Sequence, residues 1–362
     1  YLQNSSGGAG TGDFNTDGTV DGIDFAIWRK NYTIASPTPT LLPSATPVPS
    51  STPGPTPSGV SYYVGCDSNA SDSNSGKSPT SAWATLAKAS TFTGQNLILE
   101  RGCTWNNQRL TVSRTGSPGN NIYVDSLASY ATGNGGLPVI QRNSSGPNIS
   151  LSGSHITVQN VELKGIAPGT ASCTYNSVSE TIPVGNVNGI DIETGAFNNT
   201  VQNIVGSGFY AGIFIKRDSY GNKILSNDLH DNTMLASGLT SGAFGVLIWG
   251  HDNEIAGNTI SGNDVCSPSY GRDGSAIEVY GGSGTIGASN NIIHHNFASN
   301  SDAFAELGKT SSSQAANNTF AYNEFLYNSV HNHGIFLVTR GSNDSYGPIL
   351  GTKLYNNSVY IT

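Results

Sequence analysis

The sequence predicts an all-β protein whose main body, residues 60–362, is a right-handed parallel β-helix, a solenoid preceded by a short EF-hand-like segment. Three observations predict it. An apolar pair set one residue apart keeps returning along the second half of the chain, and a motif punctuated by Asn runs between its copies. The composition, with 45 Gly and only 11% charged residues in 362, suits strands and turns and is poor in helix formers.

The first motif reads Gly189-Ile190-Asp191-Ile192-Glu193, Gly212-Ile213-Phe214-Ile215-Lys216 and Gly245-Val246-Leu247-Ile248-Trp249. Looser copies stand at Ser275-Ala276-Ile277-Glu278, Ala303-Phe304-Ala305-Glu306 and Gly334-Ile335-Phe336-Leu337-Val338. The steps range from 23 residues (Gly189 to Gly212) to 33 (Gly212 to Gly245), a solenoid period. The second motif, Asn-x-apolar-x-x-Asn, spans Asn222 to Asn227, Asn253 to Asn258 and Asn318 to Asn323, with a further Asn at Asn232, Asn263 and Asn328. Apolar side chains would fill the lumen, while Asn tolerates left-handed backbone at corners and stacks in hydrogen-bonded ladders. A single coil buries little, so stacking must make the core.

Residues 37–59 are Pro, Thr and Ser-rich, lack the donors and apolar area to fold, and are expected to form a stiff extended spacer. Residues 1–36 contain Asp13-Phe14-Asn15-Thr16-Asp17-Gly18-Thr19-Val20-Asp21-Gly22-Ile23-Asp24. Oxygen ligands at loop positions 1, 3, 5 and 12 with Gly at 6 are what calcium coordination requires. Asp13, Asn15, Asp17 and Asp24 would give side-chain oxygens and Thr19 its carbonyl; an unligated acidic turn is the alternative. Asp rather than Glu at position 12, and no entering helix, make the segment resemble a single dockerin repeat. That resemblance implies calcium as cofactor and a cohesin-like or cell-surface scaffold as partner; dockerins carry two such repeats and one is visible.

Cys66, Cys103, Cys173 and Cys266 form an even set without metal spacing, which suits disulfides in an oxidising compartment and a secreted or cell-surface location. Sequential pairing, Cys66 with Cys103 and Cys173 with Cys266, is the expectation, with buried free thiols the alternative. A net charge of -8 without a basic cluster argues against a nucleic-acid partner. No apolar run reaches the roughly 20 residues of a membrane-spanning helix. A start at Tyr1 and an end on a strand-like pattern read as a fragment trimmed at both ends.

Tyr62-Tyr63-Val64, Asp72-Ser73-Asn74-Ser75-Gly76 and Ser81-Ala82-Trp83-Ala84-Thr85-Leu86-Ala87-Lys88-Ala89 resemble the start of pectate-lyase-like β-helix proteins. The resemblance spans residues 60–362 and implies a first strand, a loop, and a short amphipathic helix plugging the open lumen. The Asp-Asp and Gly-His-Gly signatures of polygalacturonases and the Arg and Lys motifs of pectate lyases are absent, so it assigns fold and gives no residue a role.

Aligning the repeats on Ile192, Ile215, Ile248, Ile277, Ala305 and Leu337 predicts an outward column of Glu193, Lys216, Trp249, Glu278, Glu306 and Val338. Two residues on, a second column holds Gly195, Asp218, His251, Tyr280, Gly308 and Arg340. A third, Asp191, Phe214, Leu247, Phe304 and Phe336, is unusually apolar and needs cover from a loop or partner. The insert at 264–272 and the loop at 237–243 are placed to wall such a groove. Polysaccharide is the partner this face suits. A uronide lyase would use Lys216 or Arg340 with calcium on Asp218; a glycosidase would use Glu278 and Glu306, whose adjacent coils lie ~4.8 Å apart. Glu193, Trp249, His251 and Tyr280 would bind sugar in either case. The alternative is a non-catalytic surface protein, an adhesin or fibre, in which the solenoid is a rigid rod.

Overall fold

The computed structural model describes residues 59–281, 286–327 and 334–361, with Ile361 described by its backbone alone. The acidic loop of Asp13, Asn15, Asp17, Thr19 and Asp24, the spacer up to residue 58, and Asn328 lie outside the described residues.

The described chain winds into three long parallel sheets of ten, nine and eight strands. A representative coil places Ala211–Ile215 in the eight-stranded sheet, Lys223–Leu225 in the ten-stranded one and Asp228–His230 in the nine-stranded one. The next coil repeats the circuit with Phe244–Ile248, Glu254–Ala256 and Thr259–Ser261. Strands thus pair with their equivalents one coil away, the topology of a parallel β-helix, right-handed as crossovers between parallel strands require. Coiling begins well before residue 189, with Leu110–Val112 and Gly146–Leu151 already in the eight-stranded sheet. These early coils escape the motif because their inward residues, such as Ile149 and Leu151, lack the Gly-led pattern and a hairpin, Gly169–Tyr175 with Val178–Val184, interrupts the next turn.

Inward pairs on the eight-stranded sheet, Ile190 and Ile192, Ile213 and Ile215, Val246 and Ile248, Ile277 and Val279, fill the lumen and are fully buried. Stacked Asn residues close the corners. Asn258 Oδ1 accepts from the backbone N and Nδ2 of Asn227, at 3.0 and 2.9 Å. Its own Nδ2 donates to Asn296 Oδ1 and to the Ile224 carbonyl, both at 2.9 Å. The ladder continues through Asn323 to Asn357. A second runs Asn222, Asn253, Asn291, Asn318, and a third joins Asn232 and Asn263 to Ser301. The left-handed backbone at these corners belongs to the residue before each ladder Asn: Ser226, Gly257, His295 and Tyr322 precede Asn227, Asn258, Asn296 and Asn323. At the corner before Asn291 and Asn318 the left-handed residues are themselves Asn, Asn290 and Asn317, and Asn317 Nδ2 donates to Asn290 Oδ1 at 3.4 Å.

At the N-terminal end a four-residue helix, Leu86–Ala89, is capped by Thr85, whose side chain accepts from Lys88 N. Leu86 and Ala89 are buried with Trp83 and Phe92 against the first coils, covering edges that would otherwise stay unpaired. One disulfide links Cys66 to Cys103 beside this plug, and a second links Cys173 to Cys266.

Two sequence expectations are corrected by the register. Ile277 pairs with Val246, and Ile248 pairs with Val279. The strand Ser275–Gly281 therefore sits two residues away from the alignment on Ile248. A two-residue slip keeps every inward residue inward, so apolar periodicity cannot detect it. Phe304 and Phe336 do not face outward; they stack at 4.8 Å, with Phe304 fully buried in the core. Replacing Asn258 by Ala strands the backbone N–H and one Nδ2 hydrogen of Asn227 and removes the donor to the Ile224 carbonyl, so urea unfolding should show a loss of about 3 kcal/mol; a loss below 1 kcal/mol would show the ladder to be ornamental.

Candidate active site groove

The slipped register rebuilds the outward columns. One now runs Asp191, Phe214, Leu247, Glu278, Glu306, Val338, each paired with the next. The other runs Glu193, Lys216, Trp249, Tyr280, Gly308, with Arg340 two residues beyond Val338. Glu278 and Glu306 are thus direct neighbours, flanked by Trp249, Tyr280 and Arg340, and all five line a cavity of about 520 Å3.

Two linked hairpins form the wall, and the second of them, through Tyr270, Arg272 and Asp273, lines the cavity. The first is Gly169–Tyr175 with Val178–Val184; the second, Val265–Ser267 with Gly271–Asp273, is cross-linked to it by Cys173–Cys266. Arg272 fastens the wall, donating to Glu180 at 2.6 Å and to Asp264 at 2.7 Å. Thr240 and Ser241 from the neighbouring loop, with Tyr210, Tyr270 and Tyr346, complete the lining. The insert and loop marked in the sequence do wall the groove.

The electrostatics separate the carboxyls. Glu278 is buried, and burial together with the charges of Glu306 and Asp273 pushes its carboxyl well above the ordinary range, only partly opposed by Ser275 Oγ donating at 3.3 Å. Burial and Glu306 push Asp273 up to about 8, although its oxygens accept from Gly274 N at 2.9 Å and Gly242 N at 3.2 Å. Glu306, by contrast, is ion-paired with Arg340. A fourth acid, Asp302, also lines the groove. A carboxyl pushed up by burial beside one ion-paired with an arginine gives two neighbouring acids in different surroundings, as acid–base chemistry at one bond requires.

Lys216 lies two coils away, held by Asp191 at 2.9 Å and Glu193 at 2.7 Å, and neither it nor Glu193 lines the cavity. Asp218 is an exposed turn residue with left-handed backbone. His251 belongs to a corner stack, parallel to Tyr220 at 5.5 Å and bonded to Asp252 at 2.6 Å. The structure therefore gathers Glu278, Glu306, Arg340, Trp249 and Tyr280 and leaves Lys216, Asp218, Glu193 and His251 outside. Sequence reasoning passed over Asp273, Asp302, Tyr210 and Tyr346. Asp273 had a signal, since it closes the insert already marked as a wall; the others had none.

No protein-family profile matches the chain, and no curated protein does. Among solved structures, it is similar to a GH136 lacto-N-biosidase from Eubacterium ramulus, 12% identical over 83% of this chain and 68% of that one, with a TM-score of 0.37. An alginate lyase from Paenibacillus sp. str. FPU-7 is 14% identical over 74% of this chain and 91% of that one, with a TM-score of 0.43. A tailspike protein of E. coli bacteriophage HK620 is 13% identical over 74% of this chain and 44% of that one, with a TM-score of 0.47. The likeness is one of fold. It carries no residue across.

The proton on Asp273 has a thermodynamic signature. Its pKa rises from 3.8 to about 8 on folding, so the folded chain keeps a proton that the unfolded chain has released. The resulting stability is complete below about pH 4 and is lost as pH rises toward 8. Thermal midpoints should therefore fall across that window, and D273N should flatten the slope; an unchanged slope in D273N would refute the assignment.

Proposed function

We propose that this chain is a glycan-acting protein that hydrolyses glycosidic bonds in the groove. The observation that carries the reading is the pair Glu278 and Glu306, adjacent in register and opposite in environment, opening between Trp249, Tyr280 and Tyr346. Aromatic faces stack on the apolar faces of sugar rings, which fixes a glycan while its polar edge meets the acids.

In this reading Glu278 donates its proton to the glycosidic oxygen as the bond to the anomeric carbon breaks. Glu306 attacks that carbon, and Arg340 orients its carboxylate. The deprotonated Glu278 then takes a proton from water, which releases the sugar from Glu306 and restores both groups. Neighbouring coils ~4.8 Å apart match the short carboxyl separation of about 5 to 5.5 Å that retention of configuration needs. Burial, together with the charge of Glu306 beside it, favours the protonated form of Glu278.

E278Q and E306Q should each lower kcat by about 10²- to 10⁴-fold on a cleavable glycan, measured as new reducing ends. With a good leaving group the loss in E278Q should shrink, since the acid is then dispensable. Azide should restore turnover to E306A as a glycosyl azide. Unsaturated ends in place of reducing ends would make the chemistry that of a lyase, and binding without turnover would leave a carbohydrate-binding rod.

The N-terminal segment is proposed as the anchor. Asp13, Asn15, Asp17, Thr19 and Asp24 would hold calcium and present the segment to a cohesin-like scaffold, with residues 37–59 as spacer outside the cell. Calcium titrated into the full chain should give a calorimetric signal that D13N/D17N abolishes; an undiminished signal in that variant would remove the loop from the proposal.

A further inference from the structure

The wall strand Gly271–Asp273 brings Asp273, with Tyr270 just before it, into the groove, yet it pairs with Val265–Ser267 in a two-stranded sheet outside the three long ones. Its support comes from the other hairpin, Gly169–Tyr175 with Val178–Val184. Among the described residues that line the cavity, none belongs to that hairpin. The supporting hairpin is footed on the solenoid, leaving after Glu162–Gly165 and returning into Val187–Ile192. Leu235 N donates to the Pro183 carbonyl at 2.9 Å, and Gly185 N donates to the Leu235 carbonyl at 2.9 Å.

The two hairpins are joined rung to rung. Cys173 lies directly opposite Glu180 in the first, and Cys266 lies directly opposite Arg272 in the second. Opposed residues share a face of an antiparallel pair, so each rung presents one sulfur and one charge to the other. The sulfurs form the disulfide, and Arg272 Nη1 donates to Glu180 Oε1 at 2.6 Å. A covalent link and an ionic link thus run side by side between the same two rungs. Ile182 and Val265 pack beside them in one apolar cluster, and such packing is nondirectional. Either link keeps the rungs in contact while the cluster blocks pivoting; with both gone, only contacts that slide remain. Arg272 is also held by Asp264 within its own hairpin, so loss of Glu180 does not strand the guanidinium. Taking the groove as a glycan-cleaving site, we infer that Glu180 and the Cys173–Cys266 bridge are positioning groups for it: through Arg272 and Cys266 they keep Tyr270 and Asp273 in the cavity lining, and each link stands in for the other. The site then tolerates reduction of the bridge for as long as the ion pair is intact.

The experiment is a cycle on the full chain: wild type and E180Q, each with the bridge closed and with it open. The bridge is opened by C173S/C266S, or in the folded protein by a dithiol, which passes two electrons and two protons to it and closes into its own disulfide. Reduction covers a serine variant that fails to fold, and Cys66–Cys103 opens alike in both chains and cancels in the comparison. Two quantities are read in each of the four states. One is kcat/KM on a cleaved glycan. The other needs no glycan: the slope of thermal midpoint against pH, from about 4 to about 8, that Asp273 contributes. Glu278, Asp302 and Glu306 stand around that carboxyl from the floor, with Tyr210 and Tyr270 beside it. The cycle alters none of them, so a flattened slope reports the wall's departure. Either change alone should lower kcat/KM by less than about threefold and leave the slope in place. Together they should lower it at least about tenfold beyond the product of the single effects and flatten the slope. Losses that merely multiply, a single change as costly as the pair, or a slope unchanged with both links gone would each overturn the inference, while turnover in such a case leaves the hydrolase standing. No turnover in any state, with the slope flattened only where both links are gone, would remove the hydrolase and keep the clamp.

Discussion

The coils from Asn199 onward depend on the hydrogen-bonded Asn stack. Apolar side chains alone would hold a lumen together, but they tolerate sliding, because packing between stacked Ile and Val is nondirectional. An amide that accepts two N–H groups from the coil on one side and donates to the coil on the other fixes both the spacing and the corner position. These amides are buried, so a stack out of phase would leave unsatisfied polar groups in the interior. The groove inherits its alignment from this constraint: Glu278 and Glu306 face each other because the corners before their strands are already in phase.

The fold was legible in the chain because its cause is periodic. Ile190, Ile213 and Val246 announce the lumen, and Asn222, Asn253 and Asn318 announce the corners, at intervals that only a solenoid explains. The register between Ile248 and Ile277 was not legible, since a shift of two residues changes nothing about which side chains face inward. The corner amides, not the strands, decide it, and their pairing is a long-range fact. The site was therefore half visible. Glu278 with Glu306 and Trp249 with Tyr280 were readable as outward residues, but the alignment placed the tryptophan in the acids' own column, whereas it lines up with Tyr280 beside them. Asp273 entered the site through a hairpin that lies outside the repeat, where periodicity has nothing to say.

Wall and floor obey different rules. The floor is rigid sheet, fixed by neighbours on both sides along the coil axis. The wall is made of hairpins that leave the solenoid, and such excursions need their own fastening: Cys173–Cys266 spans 93 residues of sequence, and Arg272 ties Glu180 to Asp264 beside it. Asp273 sits where wall returns to floor, so its carboxyl is enclosed from both sides and its proton is retained.

The two-residue ambiguity in register has an evolutionary side. Because lumen residues alternate, inserting or deleting two residues in a corner loop would slide one strand past its neighbour without exposing a single core side chain. Such a slip would set Tyr280 opposite Leu247 and carry Glu278 out of the column it shares with that leucine. A stacked-coil scaffold can therefore re-deal the residues of its outer face in steps that folding stability barely registers. New constellations of acids and aromatics become reachable by short indels as well as by substitution, which gives this architecture a route to new specificities that a close-packed globular core lacks.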